Sequence, residues 1–302
     1  AVEFHSKMNA IGTDTMQMLH AGIQEATANF AALVVGNDAE NFSAGANLML
    51  LLLEAREGNW EEIDLAVRTF QGATQALRYA AVPVVVAPAG LALGGGCEIV
   101  LHGDRAQAAA ESYIGLTEVS LGLIPGGGGT KEMLARAMEA AADASDLLHV
   151  VQPVFETIGF AKVSTSAAHA RELAYLRQAD GETMNRERLL SDAKAVALAR
   201  VRDGYHPPPP RMAIPVGGDM VLAALKLGIH LAWRAGRITD HDAVVGRALA
   251  RVLAGGSLPH RTTVAESYLL DLEREAFLQL CGERRTQERI EHTLKTGKPL
   301  RN

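Results

Sequence analysis

Residues 83–103, PVVVAPAGLALGGGCEIVLHG, constrain this chain's fold more than any other stretch. The β-branched run Val84–Val86 between two prolines reads as a short strand, and CEIVLHG reads as a helix with almost no polar face. Elements so apolar must be covered, which places them inside a layered core. Between them stand Gly94, Gly95 and Gly96, each of which weakens a helix. Two readings account for such glycines. They serve tight turns and close packing, with Glu98 a first-turn carboxylate stabilised by the helix dipole. Alternatively they bare a helix end whose first N–H groups lack partners, a trap for an oxygen that becomes negative, as a thioester carbonyl does on turning into an enolate.

The surrounding pattern predicts an α/β first half and a mostly helical remainder. Helices are expected at Thr13–Phe30 and Glu61–Tyr79, strands at AALVVGN and AQAAA, and a loop between PVVVAP and the glycines. After about Thr165, helices are expected at Arg186–Arg202, Asp219–Ala235, His241–Ala254 and Thr263–Leu280, with GYHPPPPR (Gly204–Arg211) a stiff connector. The expected organisation is a core over residues 1–165 and a helical region over 166–302. No internal repeat is visible.

The nucleotide-binding alternatives fail on spacing. Gly90, Gly94, Gly95 and Gly96 do not fit G-x-G-x-x-G, and IPGGGGTK (Ile124–Lys131) lacks the G-K-[ST] order of a phosphate loop. Two further segments resemble parts of a site. NFSAGANLML (Asn41–Leu50) is a second small-residue bend after a strand and a second source of free amides. YIGLTEVSLGLIPGGGGT (Tyr113–Thr130) carries another carboxylate, Glu118, ahead of a glycine-rich turn.

Taken in order, NFSAGANL, ALGGGCEIVLHGD and YIGLTEVSLGLIPGGGGT resemble the signature of the crotonase superfamily, the enoyl-CoA hydratases and isomerases. KMNAIG near the start and EREAFLQLCGERRTQERIEHTLKTGKPL near the end extend the resemblance over essentially the whole chain. EFHSKMNAIG, the insert around EAREGNWEEIDLAVRTF and LKTGKPLRN are similar to the C-terminal hydratase part of fused 3-hydroxyacyl-CoA dehydrogenase/enoyl-CoA hydratase proteins. The resemblance implies an α/β fold with a crotonase-like ββα spiral core and a helical C-terminal region. It implies an oxyanion hole from the amides of Ala46 and Gly95, with Ala44, Gly45, Gly94, Pro125 and Gly126 around the substrate and Gly126 helping to hold the reacting water. Glu98 and Glu118 correspond to the two catalytic glutamates, Glu98 as the water-activating base and Glu118 as the proton donor. The activity implied is hydration of trans-2-enoyl-CoA in fatty-acid β-oxidation. The alternatives are an enoyl-CoA isomerase using Glu118 alone, a CoA-thioester hydrolase, and a non-catalytic acyl-CoA-binding part of a β-oxidation assembly.

Other expectations follow from what is scarce. No H-E-x-x-H or C-x-x-C occurs, so no metal is expected, and no cofactor beyond the coenzyme A of an acyl-CoA substrate. Cys97 reads as a small buried helix residue, and Thr239 with Asp240 in ITDHDA as a helix cap. A formal net charge of -6 over 302 residues argues against nucleic acid and anionic membrane surfaces as partners. The apolar run Leu48–Leu53 is too short to span a bilayer, and two cysteines suit a reducing cytoplasm. Because Ala1 is no initiator, the chain is expected to be a fragment. The resemblance implies that an NAD-dependent dehydrogenase part precedes it, and it suggests a thiolase partner and a homo-oligomer. Lys295, Lys298 and Arg301 are either a solvated tail or contacts to the CoA phosphates.

Overall fold

The computed structural model describes residues 1–141 and 144–302. In chain order its elements begin with α1 (Thr13–Asn29), β1 (Leu33–Gly36), α2 (Leu48–Glu57), α3 (Trp60–Arg78), β2 (Val84–Ala87), β3 (Gly90–Leu93) and α4 (Gly95–His102). Then come β4 (Arg105–Ala109), β5 (Ser112–Gly115), a 3-10 turn at Glu118–Leu121, α5 (Gly129–Ala140), α6 (Leu147–Gly159), α7 (Ala167–Glu172) and β6 (Gly181–Thr183). The remainder holds α8 (Leu189–Arg202), β7 (Ile214–Val216), α9 (Gly218–Arg234), α10 (Asp240–Leu253), β8 (Thr262–Val264), α11 (Glu266–Cys281) and α12 (Arg284–Thr296). The chain forms two compact units, each built from three segments. The first holds Ala1–Asn47, Thr69–Leu116 and Val163–Pro210; the second holds Leu48–Arg68, Thr117–Lys162 and Arg211–Asn302.

The first unit is a spiral of ββα turns, as the resemblance implied. Strands β1, β2, β4 and β6 form a parallel sheet in the order β1-β2-β4-β6, and a bridge from Val2 to Val35 extends it. The second strand of each turn goes to a separate parallel set. There β3 pairs with β5, Ser43 bridges to Ala92, and Ile11 bridges to Ala46. The repetition is one of backbone path, since the turns share no visible sequence repeat. Val84, Val85 and Val86 are fully buried, and Leu189, Ala193 and Ala197 of α8 close over Val85, Ala87 and Ala109. Their i, i+4, i+8 spacing makes one narrow stripe of mostly small side chains, which lets the helix lie close on the sheet. Arg200 on the same helix holds Asp104 with two bonds, at 2.8 and 3.3 Å, and Tyr205 donates its hydroxyl to the Ala80 carbonyl.

The second unit is mainly helical, with β7 and β8 as an antiparallel pair. Two expectations need correction. The stretch between PVVVAP and the glycines is strand β3 rather than loop, because its amides and carbonyls pair with residues 112–115. The helix expected from Thr263 starts only at Glu266, because the β-branched Thr262, Thr263 and Val264 pair with Ile214–Val216 instead. Leu48–Leu53, read only for its length, opens α2. No helix among the described residues is long and apolar enough to cross a membrane.

Candidate active site

The glycines before α4 have distinct structural causes. Gly94 has φ 52 and ψ -121, which a side chain would strain, and its N–H donates to the Gly115 carbonyl at 2.8 Å. A Cβ on Gly96 would lie 2.8 Å from Ser43 Cβ and 3.1 Å from the Ser43 carbonyl oxygen; one on Gly95 would lie 3.1 Å from Ile11 Cδ1 and 3.2 Å from Phe70. Close packing therefore accounts for Gly96, which meets Ser43 Cβ and backbone, whereas Gly95 faces only the ends of side chains that can shift. Glu98 sits in the first turn of α4, 2% exposed, and its amide closes on the Gly94 carbonyl at 3.0 Å. Cys97 is buried in the same turn, as expected of a packing residue.

The bend at Ala44–Ala46 is folded by its neighbours against the mouth of α4. Ser43 Oγ accepts from the Gly45 amide at 3.1 Å and donates to the Asn9 carbonyl at 2.7 Å, while Asn41 Oδ1 accepts from the Leu91 amide. The amides of Ala44 and Asn47 donate to the carbonyls of Met8 and Ile11, and the Ile11 amide donates to the Gly45 carbonyl. Gly45 has φ +98, and a Cβ there would lie 3.0 Å from the Leu93 carbonyl oxygen and 3.7 Å from the Gly95 nitrogen. Among the described residues, the N–H groups of Ala46 and Gly95 have no hydrogen-bond acceptor. Two open amides beside one another can hold one oxygen that gains negative charge. Ala44, Gly45, Ala46, Gly94, Gly95 and Glu98 thus all belong to the first unit.

Glu118, Pro125 and Gly126 belong to the second unit. Glu118 begins the 3-10 turn, half-buried, with its Oε2 shielded from solvent. The turn ends at Gly122, φ 82, whose carbonyl accepts from Thr286 Oγ1 at 2.9 Å. Pro125 and Gly126 are buried, and a Cβ on Gly126 would lie 2.9 Å from Phe277. Behind them, Glu273 of α11 accepts from the amides of Gly128 and Lys131 at 2.6 and 2.9 Å, closing the amino end of α5. The Lys131 ammonium is fully buried and lies 2.8 Å from Glu266 and 3.1 Å from Glu132, so IPGGGGTK is a helix start neutralised from within.

Sequence reasoning missed the groups that hold this second segment. Thr286, Glu273 and Arg289 act on carbonyls and amides more than a hundred positions away, which no local pattern signals. His241, beside Thr286, is buried, and burial together with the Arg289 and Arg285 guanidiniums pushes its pKa down to about 4. Thr239 does cap α10, with a full capping box to Asp242. In the tail, Lys295 pairs with Glu291 at 2.7 Å, while Lys298 and Arg301 are exposed.

The family model for enoyl-CoA hydratase/isomerase matches residues 2–149, which hold Ala44–Ala46, Gly94, Gly95, Glu98, Glu118, Pro125 and Gly126 but not the C-terminal Lys295, Lys298 and Arg301. Just under half of the chain thus matches this family's model. It is 45% identical over 301 residues to a probable 3-hydroxyacyl-CoA dehydrogenase of Bacillus subtilis, a match covering 100% of this chain and 38% of that protein. It is 26% identical over 290 residues to a putative fatty acid oxidation complex trifunctional enzyme of Rickettsia felis, covering 96% and 37%. The chain thus spans less than two-fifths of the length of these curated relatives. The crystal structure of an enoyl-CoA hydratase from Bacillus halodurans shares the fold, with a TM-score of 0.61 at 17% identity over 95% of this chain and 92% of that one.

Proposed function

We propose that this chain is a member of the enoyl-CoA hydratase/isomerase family and a 2-enoyl-CoA hydratase, which adds water to trans-2-enoyl-CoA to give 3-hydroxyacyl-CoA in fatty-acid β-oxidation. The observation that carries the reading is the pair of open amides, Ala46 and Gly95, with Glu98 one turn further along the same helix. In the reaction the thioester oxygen accepts from both N–H groups as it becomes an enolate oxygen. Glu98 takes a proton from water as the water oxygen bonds to the β-carbon, and Glu118 delivers its proton to the α-carbon. Glu98 ends protonated and Glu118 ionised, so exchange with solvent resets them. Neither step uses a metal or a nucleotide.

The sizes and names of the relatives support a larger parent protein with a 3-hydroxyacyl-CoA dehydrogenase part; that this part uses NAD and consumes the product, that a thiolase acts next and that the protein is cytoplasmic belong to the same proposal. The test is the loss of the conjugated enoyl-thioester absorbance with crotonyl-CoA and with a longer enoyl-CoA, after chelation. Glu98→Gln and Glu118→Gln should each lower kcat by about 10²-fold or more with the fold intact. Full turnover in Glu98→Gln would favour an isomerase, and thiol release from a saturated acyl-CoA would favour a hydrolase.

A further inference from the structure

The 3-10 turn that presents Glu118 is held from below by the C-terminal helix. Gly122 closes the turn, and its carbonyl accepts from Thr286 Oγ1 on α12. One helical turn on, Arg289 reaches the Val119 carbonyl with Nη1 at 3.5 Å. Its guanidinium is 2% exposed and is fixed on its other sides, by Asp242 Oδ1 at 2.8 Å, Thr239 Oγ1 at 3.1 Å and Asn302 Oδ1 at 2.8 Å. Thr286 is locked in turn. Its single hydroxyl hydrogen goes to Gly122, so the 2.8 Å contact with His241 requires Nε2 of the imidazole to be the donor. A side chain at Gly122 would break this arrangement, since its Cβ would lie 2.8 Å from Thr286 Oγ1 and 2.9 Å from His241 Nε2.

We infer that Thr286 is a positioning residue for Glu118, and that the chain His241 Nε2–H to Thr286 O–H to the Gly122 carbonyl sets how the acid is presented to the α-carbon. This rests on the hydratase reading. On that reading the substrate is held by Ala44, Gly45, Gly94, Pro125 and Gly126, so the clamp should act on turnover and leave affinity alone. A displacement of about 1 Å in a reacting group is enough to cost 10²-fold in rate.

The decisive variants are Thr286→Val, which keeps the shape and removes the donor, and Thr286→Ser, which keeps the donor. On crotonyl-CoA, Thr286→Val should lose about tenfold or more in kcat per folded molecule, with KM within about twofold, and Thr286→Ser should recover most of the loss. Thermal melting on the same preparations gives the folded fraction. Unchanged kcat in Thr286→Val, a loss no larger than its unfolded fraction, or a Thr286→Ser variant as slow as Thr286→Val would overturn the proposal while leaving the hydratase reading intact. A wild-type chain that does not hydrate crotonyl-CoA would defeat that reading, and the clamp's role would fall with it.

Discussion

Glu273 closes the amino end of α5 from 145 positions further along the chain, its two carboxylate oxygens accepting from the amides of Gly128 and Lys131. Both amides are ones that the helix cannot satisfy internally, and the carboxylate also meets the positive end of the dipole. Glu273→Gln keeps the size and removes the charge. It should cost about 2 kcal/mol of stability, seen as an earlier urea midpoint with an unchanged slope. A midpoint equal to wild type would mean that the carboxylate contributes nothing to this turn.

Lys131 lies inside a cluster of buried charges with Glu132, Glu266 and Arg211, where Arg211 contacts Glu132 at 2.6 Å. Removing one cation strands carboxylates in a low-dielectric interior. Lys131→Met should therefore cost about 3–5 kcal/mol. Because the damage is the stranded charge, adding Glu266→Gln should restore part of it. A double variant less stable than Lys131→Met would contradict this account.

The adjacent glycines of α4 should differ in what they tolerate. A methyl at Gly96 meets Ser43 Cβ and its carbonyl oxygen, on a segment fixed by pairing with β3. A methyl at Gly95 meets the ends of the Ile11 and Phe70 side chains, which can shift. Gly96→Ala should destabilise by about 1–3 kcal/mol and Gly95→Ala by less than about 1 kcal/mol. Denaturation of both proteins side by side checks the order, and the reverse order would sink the packing argument.

His241 gives the fold an acid sensitivity. Its folded pKa, about 4, lies below its ordinary value of 6.5, so the unfolded chain takes the proton first as pH falls. The associated stability is fully present above about pH 6.5 and is lost progressively as pH falls through about 4. His241→Gln keeps an N–H donor for Thr286 but cannot titrate. Its urea midpoint should fall less than that of wild type between about pH 7 and about pH 4. Parallel slopes would show that other groups carry the acid response.

Local chemistry decided what could be read in advance. Val84–Ala87 was legible because it is apolar throughout, Gly95–His102 because only Glu98 and His102 interrupt its apolar run, and the start of α10 because Thr239 and Asp242 cap it within four residues. Strands β3 and β5 were not, since four residues such as Gly90–Leu93 become a strand only through a partner elsewhere. The bend at Ala46 and the helix end at Gly95 stood out by their small residues and by family resemblance. Glu273 and Thr286 were invisible because their partners lie 145 and 164 positions away.

The late cover on the parallel sheet has a consequence for synthesis. Val85 leaves the ribosome 104 positions ahead of Leu189, the first α8 residue to shield it (189 minus 85). At about 5–20 residues per second, that interval lasts roughly 5 to 20 s. For that time a nascent chain carries a bare valine and alanine surface, which invites capture by chaperones or by neighbouring chains on the same message.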